Sequence, residues 1–238
     1  MKRQYFGDVN DYLTYGVLRC VLRAGGFKLL VVWMLTDDEP KGTGQRRQYL
    51  AQPEKWQVFD PELFQALRDM TARATEEGLT LFEHSGLLGK TRFFSLPVPV
   101  DVGARKVWFQ RLQAAAHGSD MVFLDPDNGL EIPSVPWGRR GFERYLFWHE
   151  VEALWSQGLS LVVFQYLPRK PRISYLQSRL SALGEHTPGS QVAAVFGSFV
   201  SFLFAWQPPH AQKWPQVAEE LRKRWQPVLQ LVSGSCQC

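Results

Sequence analysis

The chain has 238 residues and a formal net charge of +4, and this length suits one large α/β domain or two small ones. The charge is compatible with a polyanionic partner without requiring one. The three cysteines, Cys20, Cys236 and Cys238, exclude a disulfide framework and match no metal-binding spacing. No signal peptide and no apolar run of about eighteen residues is present, which predicts a cytoplasmic protein without a membrane partner.

In the first half of the chain, continuous apolar runs alternate with helical patterns. The first helix is expected over Val9–Ala24, with Asp8 as its N-cap. Phe27–Leu35 is apolar throughout, which indicates a strand buried on both faces and therefore parallel to its neighbours. The further elements predicted here are a polar loop over Thr36–Gln57, helices over Pro61–Glu77 and Asp101–His117, and strands over Leu79–Glu83 and Arg92–Val98.

The second half continues the alternation around a central strand, Met121–Leu124. The later predictions are helices over Gly141–Gln157, Ile173–Leu183 and Ala211–Trp225, a strand over Leu159–Phe164, and an antiparallel pair formed by Gln191–Gly197 and Phe199–Trp206. This pattern predicts an α/β fold: a three-layer Rossmann-like sandwich whose mostly parallel sheet carries an antiparallel C-terminal strand pair. We expect residues 1–238 to form a single domain, with residues 232–238 as a flexible tail.

An acidic turn follows the central strand directly, with the sequence Asp-Pro-Asp-Asn-Gly over residues 125–129. Proline cannot donate a hydrogen bond to a sheet, and Asn-Gly favours a turn, so the strand ends here. Ligands bind at the carboxyl ends of the strands in open α/β sheets. Asp125, Asp127 and Glu131 are therefore candidate functional carboxylates, and Asn128 stands among them. The alternative is a polar turn that only ends a strand.

Two further groups of residues could contact a ligand. Asp38, Gly42 and Gly44 follow the first strand with the spacing Asp-x-x-x-Gly-x-Gly, which lets a backbone approach a cofactor while the acid binds a hydroxyl or an amine. Asp8 and Asp11 lie at the start of the first helix, where they could face the same ligand or could only cap the helix.

Basic residues cluster near the same predicted strand ends. Arg139 and Arg140 follow the acidic turn, and Arg169 and Lys170 follow Gln165 at the end of the next strand. Such residues could contact the phosphates of a nucleic acid, or they could form a solvated basic face.

The order of these elements resembles the large-subunit ribosomal RNA adenine-N6 methyltransferases, a branch of the class I S-adenosylmethionine-dependent fold. That family opens with H-A-G-N-x-A-D-V-x-K-H, and residues 5–15 align with it without a gap, sharing Gly7, Asp11 and the apolar positions. The family's D-x-x-x-G-x-G motif is matched by Asp38, Gly42 and Gly44. Its Asp-Pro-Pro-Tyr motif is matched in its first half by Asp125 and Pro126.

This resemblance implies a methyltransferase in which Asp38, Gly42, Gly44, Asp8 and Asp11 hold S-adenosylmethionine. It also implies that Asp125 accepts a hydrogen bond from the amine of a flipped base. The departures that bear on chemistry are Asp127 in place of the second proline, Asn128 in place of the aromatic residue, Tyr5 in place of the opening histidine and Thr14 in place of the lysine.

Three hypotheses follow. The first is a methyltransferase that uses S-adenosylmethionine to methylate a base amine in RNA or DNA, with Asp125 and Asn128 orienting the amine. The second is a nuclease or phosphoesterase in which Asp125, Asp127 and Glu131, with or without Asp8 or Asp11, bind one or two Mg²⁺ or Mn²⁺ ions and Lys170 stabilises the phosphate. The third is an inactive relative that binds a nucleic acid or a protein.

Overall fold

The computed structural model of the protein describes residues 1–38, 46–73 and 77–233. Its helices are α1 Val9–Gly25, α2 Pro53–Trp56, α3 Pro61–Arg73, α4 Gly78–His84, α5 Val102–Ala116, α6 Trp148–Trp155, α7 Arg172–His186, α8 Pro208–Ala211 and α9 Trp214–Trp225. Its strands are β1 Leu29–Val32, β2 Arg92–Phe94, β3 Met121–Leu124, β4 Gly129–Leu130, β5 Tyr145–Leu146, β6 Ser160–Tyr166, β7 Gln191–Phe196, β8 Val200–Trp206 and β9 Gln230–Ser233. Short 3₁₀ helices cover Arg3–Tyr5, Gln48–Ala51 and Phe142–Arg144.

Within the described residues, the main sheet has seven strands in the order β2-β1-β3-β6-β8-β7-β9. The first four are parallel to one another, with Val32 beside Leu124 and Leu124 beside Val163. Strand β8 is antiparallel to both β6 and β7, so β7 points in the same direction as β6. The predicted fold, a mostly parallel sheet with an antiparallel C-terminal pair, is confirmed.

Helices pack on both faces of this sheet and form two apolar cores, which makes the fold a three-layer sandwich. Strand β3 shows the alternation: Met121 and Phe123 face the core beneath α1, α3, α4 and α9, whereas Val122 and Leu124 face the core beneath α5, α6 and α7. Since β3 is buried on both faces, a ligand could approach it only at its ends.

Helix α1 begins and ends as the sequence predicts. The Asp8 carboxylate accepts hydrogen bonds from the backbone nitrogens of Asn10 and Asp11, which satisfies amide groups that the first turn leaves unpaired. Gly26, with φ of 65°, ends the helix, and its N–H donates to the carbonyl of Leu22. This cap places Asp8 and Asp11 at the sheet edge where the parallel strands end.

The predicted polar loop over Thr36–Gln57 contains the short helix α2 and a 3₁₀ helix, and one predicted strand and one predicted helix are also wrong. Leu79–Glu83, predicted as a strand, lies inside helix α4, because Leu79 and Phe82 pack into the core at helical spacing. The helix predicted over Gly141–Gln157 begins only at Trp148, since Tyr145 and Leu146 form strand β5 and pair with β4.

At the C-terminus, Val232 and Ser233, which lie within the segment predicted as a flexible tail, belong to strand β9 and pair with Ala194 and Ala193 of β7. Residues 234–238 lie outside the described residues. Every helix within the described ranges is too short or too polar to cross a bilayer.

Candidate functional site

The candidate site lies where β1, β3 and β6 end side by side. The backbone nitrogen of Asp125 donates to the carbonyl of Val32 at 3.0 Å, which fixes the end of β3 against the end of β1. Thr36, beyond β1, donates from its hydroxyl to the Asp127 carboxylate at 2.5 Å. The acidic turn, the segment after β1 and Gln165 of β6 therefore share one edge, as predicted from the parallel strands.

Gln165 holds the acidic turn in place. Its Nε2 donates to the carbonyl of Asn128 at 3.1 Å, and its Oε1 accepts from the backbone nitrogen of Leu130 at 2.9 Å. Gly129, between these two residues, has φ of 103°, and a Cβ there would lie 2.4 Å from the Gln165 amide. The glycine is thus required by both the backbone conformation and the close side chain.

The first residues of the chain pack onto this turn. The backbone nitrogen of Met1 donates to the carbonyls of Met34 at 3.1 Å and Asp125 at 2.9 Å, and it pairs with the Asp127 carboxylate at 2.8 Å. The Lys2 ammonium lies 3.6 Å from the same carboxylate. Burial raises the pKa of Asp127, but these charges outweigh that effect and the pKa lies below its ordinary value.

A cavity of about 200 Å³ opens between this turn, the start of α1 and the end of β6. The residues lining it that bear on chemistry are Asp8, Asp11, Asp125, Asn128, Phe164 and Tyr166. Asp8 and Asp125 are each only 6% exposed. The cavity therefore brings together carboxylates that lie more than a hundred residues apart in the chain.

Asp125 is the least satisfied of these carboxylates. Its backbone nitrogen and carbonyl are both hydrogen-bonded, but no described residue donates a hydrogen bond to its carboxylate. Burial raises its pKa to about 7, the Met1 ammonium opposes this rise, and the charges of Asp127 and Asp8 add to it. A buried carboxylate without a donor is unfavourable, and a ligand that carries an N–H group would relieve it.

Asp8 and Asp11 are perturbed in the same direction. Burial raises the pKa of Asp8 to about 6, although the N–H groups that it caps and the nearby Arg46 and Arg47 lower it. Burial, followed by the charges of Asp8 and Asp125, raises the pKa of Asp11 well above its usual value. This concentration of acids favours a cationic or N–H-rich ligand.

A second cavity, of about 540 Å³, adjoins the first and shares Arg144 with it. Asp37 and Asp38 line it beyond β1, and Arg139 and Arg140 line it from the segment between β4 and β5. Asp38 also accepts a hydrogen bond from the backbone nitrogen of Gln4 at 3.2 Å. This cavity thus contains acceptors for hydroxyl groups and exposed guanidinium groups.

The structure brings most of the predicted site residues to these two cavities. Gly42 and Gly44 lie outside the described residues. Arg169 and Lys170 are exposed beyond β6 and are not among the described residues that line either cavity.

Glu131 is directed away from the two aspartates with which it was grouped. Its carboxylate accepts from the backbone nitrogen of Trp148 at 2.9 Å, at the start of α6. In the described part of the chain, no three His, Cys, Asp or Glu side chains are arranged to hold a metal ion. The set Asp125, Asp127 and Glu131 therefore gains no geometric support as a metal site.

Phe164 and Tyr166 line the first cavity but were not predicted as site residues. The sequence contained a signal for them: they alternate with Gln165 on a strand whose end meets the acidic turn, and alternate residues of a strand share a face. The predicted strand stopped at Phe164, so Tyr166 was assigned to the following loop.

Comparison with known proteins identifies neither a family nor an activity. No family model matches the sequence, and no curated protein is similar to it at the significance that we required. Among solved structures, the chain is similar to the crystal structure of protein LPL1258 from Legionella pneumophila str. Philadelphia 1, described by the family model DUF519. The two share 12% sequence identity and a TM-score of 0.44 over 98% of each chain. The name of that protein states no activity.

Proposed function

We propose that this protein is an S-adenosylmethionine-dependent methyltransferase that acts on a base amine of a nucleic acid. The observation that carries this proposal is the buried Asp125 carboxylate, which faces a cavity at the sheet edge and has no hydrogen-bond donor among the described residues. An exocyclic amine would supply that donor. The resemblance of the acidic turn and the first helix to the ribosomal RNA adenine-N6 methyltransferases supports the same assignment.

The acidic turn has the chemistry that an amine needs. The Asp125 carboxylate would accept a hydrogen bond from the amine and keep its lone pair directed into the cavity. Because the pKa of Asp125 is about 7, the carboxylate can also take up the proton that the amine releases after it bonds to the methyl carbon.

The two cavities also fit the proposed cofactor. S-adenosylmethionine, when bound, supplies a methyl group on a positively charged sulfur. Asp8 and Asp11 would face its cationic amino-acid part in the first cavity, where burial raises the pKa of both groups and the charge of Asp8 raises that of Asp11 further. Asp38, in the second cavity, would accept hydrogen bonds from ribose hydroxyls. Asn128 would orient the target amine.

The basic residues suit a nucleic-acid partner. Arg139 and Arg140 are exposed at the rim of the second cavity, and Arg169 and Lys170 are exposed beyond β6 at the same sheet edge. Phosphate contacts of this type position a nucleic acid without reading its sequence. We place these four residues along the path of the phosphate backbone.

The first experiment is calorimetric titration of the protein with S-adenosylmethionine and its demethylated product, S-adenosylhomocysteine, and separately with Mg²⁺ and Mn²⁺. We expect binding of the two sulfur compounds, and weaker binding by an Asp38→Ala variant. An Asp69→Asn variant serves as the control, because Asp69 is exposed on α3 and its carboxylate accepts a hydrogen bond from the Gln65 side chain.

The second experiment measures transfer of a labelled methyl group to RNA and to DNA. Asp125→Ala should abolish transfer, whereas Asp127→Asn should retain part of it, because Asp127 is already paired with Met1 and Lys2. If the protein binds Mg²⁺ or Mn²⁺ and hydrolyses phosphodiesters, with Asp127→Asn inactive, the metal-dependent alternative replaces this proposal. If it binds neither cofactor nor metal yet retains a nucleic acid, the inactive-relative alternative does.

A further inference from the structure

The acidic turn itself contains no aromatic ring, yet the cavity beside it does. Asn128 occupies the place in the turn where an aromatic residue could stack on a base. The described aromatic residues that line the cavity are Tyr5, Phe164 and Tyr166. The flat surface that a base requires is therefore available on β6 rather than in the turn.

Phe164 and Tyr166 form a rigid pair at the end of β6. They lie two residues apart on the same face of the strand, and their rings meet edge to face with centroids 5.7 Å apart. Phe164 is buried and also packs against Phe202 of β8, so that it supports its neighbour from the core. Tyr166 is 43% exposed, and its backbone pairs with Val200, which fixes the position of its Cα.

From this geometry we propose that Tyr166 stacks on the substrate base whose amine binds to Asp125, so that the protein acts on an unpaired base. The inference rests on the proposed function and identifies the substrate as a single-stranded or flipped-out nucleotide. Asp125 and Tyr166 line one cavity, which supplies both an acceptor for the edge of a base and a ring for its face. A base held within a duplex offers neither its face nor its paired amine.

The test compares Tyr166→Ala and Tyr166→Phe with a Phe199→Ala control. Phe199 is similarly exposed, at 48%, and immediately precedes the neighbouring strand β8, but its ring contacts the Arg46 guanidinium at 4.0 Å and is not among the described residues lining the cavity. The probes are fluorescein-labelled oligoadenylate and oligodeoxyadenylate, each single-stranded and as a duplex. A probe containing 2-aminopurine reports stacking through quenching of its emission.

We expect the wild type to bind the single strands more tightly than the duplexes and to quench 2-aminopurine. Tyr166→Ala should bind the single strands roughly ten- to a hundredfold more weakly and lose the quenching. Tyr166→Phe retains the ring and should stay within about twofold of the wild type, as should Phe199→Ala. Unchanged thermal unfolding midpoints would show that all of the variants are folded. In methyl transfer, Tyr166→Ala should raise KM much more than it lowers kcat.

The outcomes separate this inference from the proposed function. If quenching depends on Tyr166 but the protein transfers no methyl group, the stacking proposal is supported and the methyltransferase proposal is rejected. If Tyr166→Ala transfers methyl groups with the same KM as the wild type, the stacking proposal is rejected and the methyltransferase proposal is supported. Equal losses in Tyr166→Ala and Phe199→Ala, preference for the duplex, or no binding of any probe by the wild type would each overturn the stacking.

Discussion

At the scale of single residues, Asp125 and Asp127 illustrate how one turn can perturb two carboxyl groups in opposite directions. Burial raises the pKa of Asp125 to about 7, and the charges of Asp127 and Asp8 add to the rise. Asp127 is also largely buried, yet the Met1 ammonium and Lys2 lower its pKa. The ionised form is thus unfavourable at one position and favourable two residues later.

These opposite shifts predict opposite effects on stability. The pKa of Asp125 is about 7 in the folded protein and 3.8 in the unfolded chain. The stability that protonated Asp125 contributes is therefore fully present below about pH 4 and is lost as the pH rises through about 7. Asp125→Asn should therefore be more stable than the wild type at about pH 8, by at most about 4 kcal/mol, and lose this advantage near pH 4. Urea unfolding across this range measures the difference.

Asp127→Asn is the matched variant for that experiment. Since the pKa of Asp127 is lowered from 3.8, its contribution is present above about pH 4 and is lost as the pH falls through the lower folded value. Asp127→Asn should be less stable than the wild type at neutral pH, and the two should converge in acid. Parallel pH profiles for the wild type and both variants would contradict these assignments.

Gly129 provides a second prediction at this scale. Gly129→Ala requires a Cβ 2.4 Å from the Gln165 amide, which would have to leave the backbone groups of Asn128 and Leu130. We expect a loss of about 2–4 kcal/mol in unfolding free energy, from backbone strain together with an unsatisfied buried N–H.

Gly158→Ala isolates the strain in Gly129→Ala. Gly158 also has positive φ, at 81°, but nothing lies within 4 Å of the position that a Cβ would take there, so this variant should lose only about 1 kcal/mol. Urea unfolding of both variants measures the difference. Equal losses would show that Gln165 does not hold the turn.

At the scale of elements, helix α1 serves the site through its N-terminus. Asp8 caps the helix and lines the first cavity, whereas Asp101 caps α5 in the same way and is not among the described residues lining either cavity. Burial raises the pKa of Asp8 to about 6 in spite of its cap bonds. Asp101 thus has a structural role as a cap, whereas Asp8 is a cap that also lies where a ligand could contact it.

This contrast predicts separable effects of capping and charge. Asp8→Ala should be about 1 kcal/mol less stable than Asp8→Asn, and Asp101→Ala about 1 kcal/mol less stable than Asp101→Asn, because each alanine removes a cap that asparagine retains. Asp8→Asn also removes a carboxylate whose pKa burial raises to about 6, so at neutral pH it should be at least as stable as the wild type but bind S-adenosylmethionine about tenfold more weakly or worse. Calorimetry should show no such loss for Asp101→Asn. Unchanged binding by Asp8→Asn would remove this residue from the cofactor site.

The segment between β4 and β5 is a second element of the candidate site. It carries Arg139 and Arg140, and its end is tied to the helical layer by Arg105. The buried Arg105 guanidinium pairs with Glu150 of α6 at 2.8 Å and donates to the carbonyl of Tyr145 at 3.2 Å. Arg105 thus links α5, α6 and β5 and fixes one end of the segment that borders the second cavity.

At the scale of the whole molecule, the net charge of +4 matters less than where its charges lie. Acidic residues gather inside the first cavity, and Arg139 and Arg140 are exposed at the rim of the second. An anionic polymer could therefore approach along the rim while a cationic or N–H-bearing group enters the interior.

This distribution predicts the salt dependence of nucleic-acid binding. Arg139→Ala and Arg140→Ala should each weaken binding of a single-stranded oligonucleotide and reduce the slope of log K against log salt by about 0.7. Lys106→Ala and Arg111→Ala, exposed on α5, should leave the slope unchanged. Fluorescence anisotropy over a salt series measures all four variants. Equal slopes for both pairs would indicate general attraction to a basic surface.

Much of the fold could be predicted because buried elements have recognisable local patterns of apolar residues. Strands β1, β3 and β6 are buried along nearly their whole length, so their apolar runs stand out, and their parallel arrangement follows. The pattern in Leu79–Glu83 is ambiguous, because so short an apolar segment fits a strand or a helix until its packing partners are known. The same ambiguity concealed β5, which exists only through its pairing with β4.

The sequence by itself determined the central strand, the acidic turn that follows it and the N-cap at Asp8, because each depends on neighbours only a few residues away. Tertiary structure alone decided that Met1 reaches Asp125 across 124 positions and that Tyr166 joins the same cavity. It also decided that Glu131 bonds to Trp148 rather than completing a carboxylate cluster. Local periodicity specifies which face of an element is buried, but contacts between distant elements depend on the register and order of the strands, which only the packed sheet defines.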